Sequence, residues 1–320
     1  MSATGDAATP RLPPDLRMLE RGWLSSNSLL MLGDPRGAVI VDTGYCTHKA
    51  QTLALVQQTL GQAQAHVREQ QLRLILNTHL HSDHCGGNAH LAETFGCPIW
   101  IPPGHYQAVV DWDDAALSFV QTGQQCERFT PTRALQPGES FEQAGRQWQV
   151  HAAPGHDPHS LILFEPESGV LMSADALWEH GFGIVFPEIE GGERGFDEVQ
   201  ATLNLIETLP ASLVIPGHGP MFTNVERALA SARERLAFFR RYPERHARHA
   251  AKALIKYRML EIQRQSHAEL LAALQETPIH RQMWSLYFST TPMEQWTAEI
   301  LEDLVRGGVL RREGVVIHNA

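Results

Sequence analysis

The stretch Thr78-His79-Leu80-His81-Ser82-Asp83-His84-Cys85-Gly86-Gly87 decides how the rest of the chain is read. It follows the apolar run Leu72–Leu76, which has the length and composition of a buried strand, and precedes Ala89–Phe95, a short helical pattern opening after a glycine pair. In a chain with 17 histidines in 320 residues, a His-x-His-x-Asp-His string arises by chance in roughly two of a thousand such chains. In an extended loop the side chains of His79 and His81 point the same way, while Asp83 and His84 turn toward a neighbouring point as the chain enters a helix. One segment can therefore address two adjacent metal ions. Imidazole nitrogen and carboxylate oxygen suit zinc-like ions, and no thiolate pair lies nearby to close a structural site, so an open, catalytic centre is expected.

Outward from this stretch, Asn27–Leu32 and Ala38–Val41 are β-prone runs joined by Gly33-Asp34-Pro35-Arg36-Gly37, a hairpin that ends in Asp42-Thr43-Gly44. His48–Leu60 and Phe196–Leu209 carry helical patterns. Gln147–Ala152, Leu161–Phe164, Val170–Met172 and Leu213–Ile215 read as further strands. The alternation predicts an α/β layered domain. Four of the strands stop just short of a metal-capable residue: Leu72–Leu76 before His79, Gln147–Ala152 before His156, Val170–Met172 before Asp175, and Leu213–Ile215 before His218. Rigid strands that deliver ligands from loops at one edge preorganise a site.

Composition, 43% hydrophobic and 19% charged, is that of an ordinary globular protein. Met1–Arg17 is polar, with Thr9-Pro10 and Pro13-Pro14, and holds no apolar run suited to a signal or membrane segment; residues 1–17 are expected to form a disordered arm of a cytoplasmic protein. The cysteines at 46, 85, 97 and 126 show no paired spacing and are read as reduced thiols. The formal charge of −10 is unevenly spread: ten Lys/Arg face three Glu between Val225 and Arg258, and the first 224 residues carry −14. Residues 18–224 are read as the catalytic domain and 225–320 as a second, helical domain. In the latter, Ala228–Arg241 and His246–Gln265 are amphipathic candidates, Ser266-His267-Ala268-Glu269 forms a capping box, and Pro292–Arg306 precedes a hairpin around Arg311-Arg312-Glu313-Gly314. Helices followed by a hairpin suggest a winged helix.

On these residues the chain resembles the metallo-β-lactamase superfamily. His79 to His84 has the form of that family's first metal motif, Pro154-Gly155-His156 of its third histidine, Ser173-Ala174-Asp175-Ala176-Leu177 of its bridging aspartate, and Pro216-Gly217-His218-Gly219-Pro220 of its last ligand. The resemblance covers roughly residues 25 to 220. It implies a four-layer αββα sandwich and two divalent metal ions, zinc first, with iron or manganese as alternatives. It further implies His79, His81 and His156 on one ion, Asp83, His84 and His218 on the other, and Asp175 between them, with Asp42 as a supporting carboxylate rather than a ligand. Some β-lactamases of the superfamily carry a cysteine in the second site where this chain has Asp175, so the resemblance points to glyoxalase II, lactonases and related esterases. Two ions about 3.5 to 4 Å apart hold a bridging water with a pKa near ~7. The expected nucleophile is that hydroxide, oriented by Asp83.

The expected substrate is a small carbonyl ester, a thioester or lactone. The alternative is a single-strand endoribonuclease, supported by the basic run Arg233, Arg235, Arg240, Arg241, Arg245, Arg248, Lys252 and Lys256 within 233–258. A mononuclear iron dioxygenase and a non-catalytic binder stand behind these two. No membrane partner is expected, and the C-terminal helices offer a surface for a homodimer. His105, His159 and His180 are read as structural or surface residues, and Cys85 as a small buried side chain. Trp178, Phe182 and Phe186 are either substrate wall or core.

Overall fold

The computed structural model describes residues 11–63, 71–192 and 194–320. Its first sheet runs β1 (Leu16–Leu19), β2 (Ser28–Met31), β3 (Ala38–Val41), β4 (Leu72–Leu76), β5 (Ile99–Ile101) and β6 (Arg133–Ala134), in that order across the sheet. β1 to β3 are an antiparallel meander, and every later pairing is parallel. Each parallel step needs a crossover. α1 (Lys49–Ala63) supplies the one between β3 and β4, burying Thr52, Val56 and Leu60, spaced by four, along one stripe. α2 (Ser82–Cys85) and α3 (Asn88–Phe95) lie between β4 and β5, and α4 (Tyr106–Asp111) and α5 (Phe119–Thr122) between β5 and β6.

The second sheet holds β7 (Ser140–Gln143), β8 (Arg146–Ala152), β9 (Leu161–Glu165), β10 (Val170–Ala174) and β11 (Leu213–Pro216), ordered β11-β10-β9-β8-β7. β9 and β10 are buried at every position whereas β8 alternates, as expected of central strands covered on both faces beside a strand nearer the edge. The β10–β11 pair is parallel, joined through α6 (Phe186–Ile189) and α7 (Gly195–Thr208).

The sheets pack face to face through Leu29, Met31, Val39, Val41, Leu74 and Leu76 of the first and Trp148, Val150, Leu163, Val170 and Met172 of the second. Helices α1 and α3 cover the outer face of the first sheet. α7 and α8 (Val225–Arg241) cover that of the second. This is the four-layer αββα arrangement expected above.

The chain then runs through α9 (Pro243–Ile262), β12 (Arg264–Ser266), α10 (His267–Glu276), α11 (Pro278–Tyr287), α12 (Met293–Arg306), β13 (Leu310–Glu313) and β14 (Val316–Asn319). The three strands form an antiparallel sheet ordered β12-β14-β13. Their helices enclose a core around Ala250, Leu254, Trp296, Ile300, Leu301 and Ile317, into which Phe186 and Ile189 of α6 also insert. The expected capping box is present: Ser266 Oγ accepts from Glu269 N at 3.3 Å, and the Glu269 carboxylate returns to Ser266 N.

Several boundaries differ from the sequence reading. The arm expected over 1–17 lies outside the described residues up to residue 10, and Leu16 and Arg17 belong to β1, paired with Met31 and Leu30. The helix expected over His246–Gln265 ends at Ile262, because Gln263 adopts a left-handed φ of 64° and the next residues pair with β14. The buried face of α8, with Ala228, Ala232, Leu236 and Phe239, joins the second-sheet core rather than the C-terminal one. α8 also meets α9, through Phe239 against His246 and His249 at 4.9 and 5.9 Å between ring centroids. All four cysteines are free, with Cys85 Sγ and Cys126 Sγ 3.7 Å apart. Among the described residues no helix is long and apolar enough to cross a membrane.

Candidate metal centre

Strand ends and the turns beyond them place all seven expected residues in one buried cluster. His79 follows β4, Asp83 and His84 sit on α2, His156 lies in the loop after β8, Asp175 directly follows β10, and His218 follows β11. His81 Nδ1 lies 3.1 Å from His79 Nε2 and 2.7 Å from His156 Nε2, which makes one triad. Asp83 Oδ2 lies 3.0 Å from His218 Nε2 and 3.8 Å from His84 Nε2, which makes a second. Asp175 Oδ2 stands between them, 3.3 Å from His156 Nε2, 3.6 Å from His84 Nε2 and 3.9 Å from His218 Nε2. Donors sharing one tetrahedral ion at about 2.0–2.2 Å lie about 3.3–3.6 Å from one another. The groups are thus arranged for a two-metal site.

Hydrogen bonds on the outer side of three of the rings fix which nitrogen faces the cluster. Asp42 accepts from Thr78 N at 2.9 Å, from Thr78 Oγ1 at 2.7 Å and from His84 Nδ1 at 2.7 Å. Since the Thr78 hydroxyl donates to Asp42, it accepts from His79 Nδ1 at 3.1 Å. His156 Nδ1 donates to Ile184 O at 2.5 Å. His79, His84 and His156 are thereby left with Nε2 turned inward. His81 is reversed, with Nδ1 inward and Nε2 4.0 Å from Asp157 Oδ2.

The electrostatics suit cations. Burial holds the His79 and His156 imidazoles below their ordinary range and pushes His81 down to about 3, with neighbouring imidazoles adding to the effect at His79 and His81. Their lone pairs are therefore free at neutral pH. Burial alone would lower His84 too, but Asp42, Asp175 and Asp83 outweigh it and raise that ring well above the usual histidine value. Its buried Nε2 has no hydrogen-bond partner, so these carboxylates favour positive charge at the atom where a metal ligand is needed. Burial would likewise raise Asp175, but His218 and His84 outweigh it and keep the carboxylate ionised. The donor set, its protonation and the orphaned nitrogen all fit divalent metal ions.

The backbone is held in sparsely populated conformations at the turns that carry the acids. Asp42 has φ 59° and Ala174, immediately before Asp175, φ 45°, the kind of strain that persists only where surrounding structure enforces it. Gly217 is required sterically, because a Cβ there would collide with Asp175 Oδ1.

The cluster opens into a cavity of about 440 Å³. His81, Asp83, His156, Asp175 and His218 form its floor. Trp23, Trp178, Ile184, Phe186, Leu254 and Leu260 supply apolar wall, and Gln124, Arg235, His249 and Tyr257 polar wall. Trp23 stacks on the His218 ring at 5.1 Å between centroids. Tyr257 of α9 donates to Leu24 O at 3.2 Å, fastening that helix over the opening. Trp23, Gln124 and Tyr257 were not anticipated from sequence, since no local pattern marks residues that loops and a docked helix bring to the cavity.

Of the aromatic trio, Trp178 and Phe186 line the cavity while Phe182 is packed into the second-sheet core. His105 and His159 meet edge to face at 4.6 Å, and among the described residues neither joins a ligand-capable triad. The His180 side chain is 75% exposed at the rim. Cys85 is wholly buried in the first-sheet core, its Sγ turned to His81 O at 3.3 Å.

A family model described as the metallo-beta-lactamase superfamily matches residues 21–218. The chain is 30% identical over 217 residues to hydroxyacylglutathione hydrolase of Synechococcus sp. (strain JA-3-3Ab), covering 67% of this chain and 72% of that protein. It is 27% identical over 159 residues to acyl-coenzyme A thioesterase of Gallus gallus, covering 47% of this chain and 57% of that protein. The crystal structure of a metallo-beta-lactamase family protein from Thermus thermophilus matches 97% of this chain and 100% of its own with a TM-score of 0.58 at 20% identity. The likeness of fold extends through the C-terminal helices.

Proposed function

We propose that this chain, which belongs to the metallo-β-lactamase superfamily, is a two-metal hydrolase of thioesters. The observation that carries the reading is the placement of Asp175 Oδ2 between two ligand triads at the floor of a largely apolar cavity. Among the described residues no cysteine faces the cluster, which speaks against the cysteine-containing β-lactamase site. The named relatives, a hydroxyacylglutathione hydrolase and an acyl-coenzyme A thioesterase, support a thioester over a lactone.

His79, His81 and His156 would hold one ion, Asp83, His84 and His218 the other, with Asp175 shared; zinc is the proposed metal, and iron or manganese suit the same donors. When bound, such a pair supplies Lewis acidity toward a carbonyl oxygen and acidifies water to a pKa of about 7. The protein's part is orientation, exclusion and proton handling. Asp83 is kept ionised by His84 and His218 against its burial, and its carboxylate orients the attacking water and takes up its proton. The apolar wall of Trp178, Ile184 and Phe186 excludes bulk water from an acyl group seated over the floor. A thiol of ordinary pKa about 8.5 departs as thiolate without a strong general acid. This matches a cavity in which the phenol of Tyr257 is held protonated by burial and by the nearby Asp83.

We further read residues 243–320 as a winged-helix-like domain, supported by the three-stranded β12-β14-β13 sheet following α9. The test is a panel of acyl thioesters, lactones and single-stranded RNA, assayed with metal content measured on the same sample. Turnover of thioesters with two equivalents of metal, lost in both His81→Ala and Asp175→Ala, is expected. Thioester turnover that survives both substitutions, or none by metal-loaded protein, overturns the reading.

A further inference from the structure

Resting on that thioester reading, we propose that the leaving thiol carries phosphates, and that a basic groove beside the cavity holds them, so that the substrate is an acyl thioester of a nucleotide-bearing thiol of the coenzyme A type. The groove, about 490 Å³, is lined by Arg235, Phe238, Arg245, Arg248, His249 and Lys252. Arg235 and His249 also line the catalytic cavity. The two spaces therefore meet, and one extended ligand can occupy both.

Apart from Arg241, which lies over the Tyr242 ring at 5.3 Å, the basic run of α8 and α9 separates into two groups. Arg233 and Arg240 are consumed by Glu207 and Asp197 on α7, at 2.8 and 2.7 Å, and Lys256 Nζ by Val309 O and Asn319 Oδ1 at 3.0 and 2.6 Å. These cations hold the fold together. The groove residues are left short of negative charge. Arg248 and Lys252 share the single carboxylate of Asp303, at 2.7 and 2.9 Å, with Arg306 on the same group. Arg245 is exposed and has no carboxylate partner among the described residues. Arg235 has none either: its guanidinium lies over Phe182 and Phe239, 5.8 and 5.3 Å from their centroids, and donates to His249 Nε2 at 2.7 Å, while its buried Nε is unpartnered. A partly desolvated guanidinium without a counter-ion is a site waiting for an anion.

Charge decides which thiol fits. Four cations against Asp303 leave a local excess that a diphosphate with a further phosphate, each group carrying about one to two negative charges, would neutralise. A γ-glutamyl tripeptide thiol, net charge about −1 at neutral pH, would leave most of it unmatched. Phe238, 49% exposed at the edge of the groove, offers the aromatic face on which a base stacks. The groove is local. A long RNA strand would run from it onto a chain whose first 224 residues carry −14, whereas a ligand the length of one nucleotide thiol would not.

The test compares the metal-loaded protein on one acyl group carried by coenzyme A, by phosphate-free pantetheine and by glutathione, and measures binding of desulfo-coenzyme A by calorimetry. The coenzyme A thioester should have at least a tenfold higher kcat/KM than the pantetheine thioester, mainly through KM, with a preference that shrinks as salt is added. Arg245→Glu and, separately, Lys252→Gln, with folding checked by circular dichroism, should lower that preference and weaken desulfo-coenzyme A binding by tenfold or more. Equal kcat/KM for coenzyme A and pantetheine thioesters, or a glutathione thioester preferred to both, overturns the phosphate site while leaving thioester hydrolysis standing. So does a groove variant that abolishes cleavage of single-stranded RNA. Failure of the thioester reading would show differently, as no turnover of any of the three while desulfo-coenzyme A still binds.

Discussion

Asp42 Oδ2 accepts a 2.7 Å hydrogen bond from His84 Nδ1, and both side chains are completely enclosed. The carboxylate thereby sets the tautomer of His84, leaving its Nε2 turned toward the cluster. Asp42→Asn keeps the shape and tolerates the left-handed φ of 59° while removing the charge. Metal affinity should fall about 10- to 100-fold, read by competition with a chromophoric chelator. Unchanged affinity would show that the orientation of His84 does not depend on Asp42.

Removal of metal should lower thermal stability. Each ion that binds only the folded chain adds about 2.7 kcal/mol when present at 100 times its Kd, and the buried carboxylates Asp83 and Asp175 lose their counter-charge without it. Differential scanning calorimetry before and after chelation should show a drop of several degrees, reversed by adding zinc. Identical transitions would argue that the cluster holds no metal in solution.

Gly217→Ala isolates geometry from chemistry, since no ligand is altered. The added methyl would meet Asp175 Oδ1 and displace the shared carboxylate. At least a tenfold loss of kcat/KM is expected, together with substoichiometric metal by elemental analysis and an unchanged far-UV spectrum. A fully loaded, active variant would mean that the turn has room the structure does not show.

Acid should weaken the fold partly through His280. Burial pushes this ring down to about 4 in the folded chain, whereas it titrates near 6.5 when unfolded. As pH falls the unfolded state therefore binds the proton first. The stability His280 contributes is complete above about pH 6.5 and is lost progressively as pH falls through about 4, at up to about 1.4 kcal/mol per pH unit. Urea unfolding of His280→Leu between pH 6.5 and 4 should be shallower in its pH dependence by up to one proton. An unaltered slope would place the acid sensitivity elsewhere, with His246, pushed to about 3 by burial and by His249, the next group to vary.

The proposed ligands were legible from sequence because they stand as clustered or single metal-capable residues just beyond apolar runs short enough to be strands. The expected extents of Ala38–Val41 and Leu72–Leu76 coincide with β3 and β4 for the same reason. β5 and β6, with three and two residues, carry too little pattern to read and exist because the neighbouring edge pairs with them. The first two residues of β1 fall inside the expected arm, since the prolines before it outweigh four residues of mixed character. Arg235 was legible only as one charge in a run. What distinguishes it from Arg233, two positions earlier, is that Glu207 lies within reach of one and Phe182 and Phe239 lie beneath the other, which packing alone decides. The approach of Cys126 to Cys85 is equally a product of loop docking.

The parallel pairs β3–β4 and β10–β11, each closed by a helical crossover, also govern the order of events during folding. Asp83 and His218, 3.0 Å apart in space, are 135 positions apart in the chain, and closing so long a loop is slow compared with forming local structure. When the first sheet has formed, only His79, His81, Asp83 and His84 are within reach of one another. His156, Asp175 and His218 arrive with the second sheet. Until then an ion meets only that local quartet, not the full donor set. If the sites fill only after both sheets have docked, the refolding rate measured by stopped-flow fluorescence should be the same with and without zinc; a rate that rises with zinc would mean the local quartet binds first.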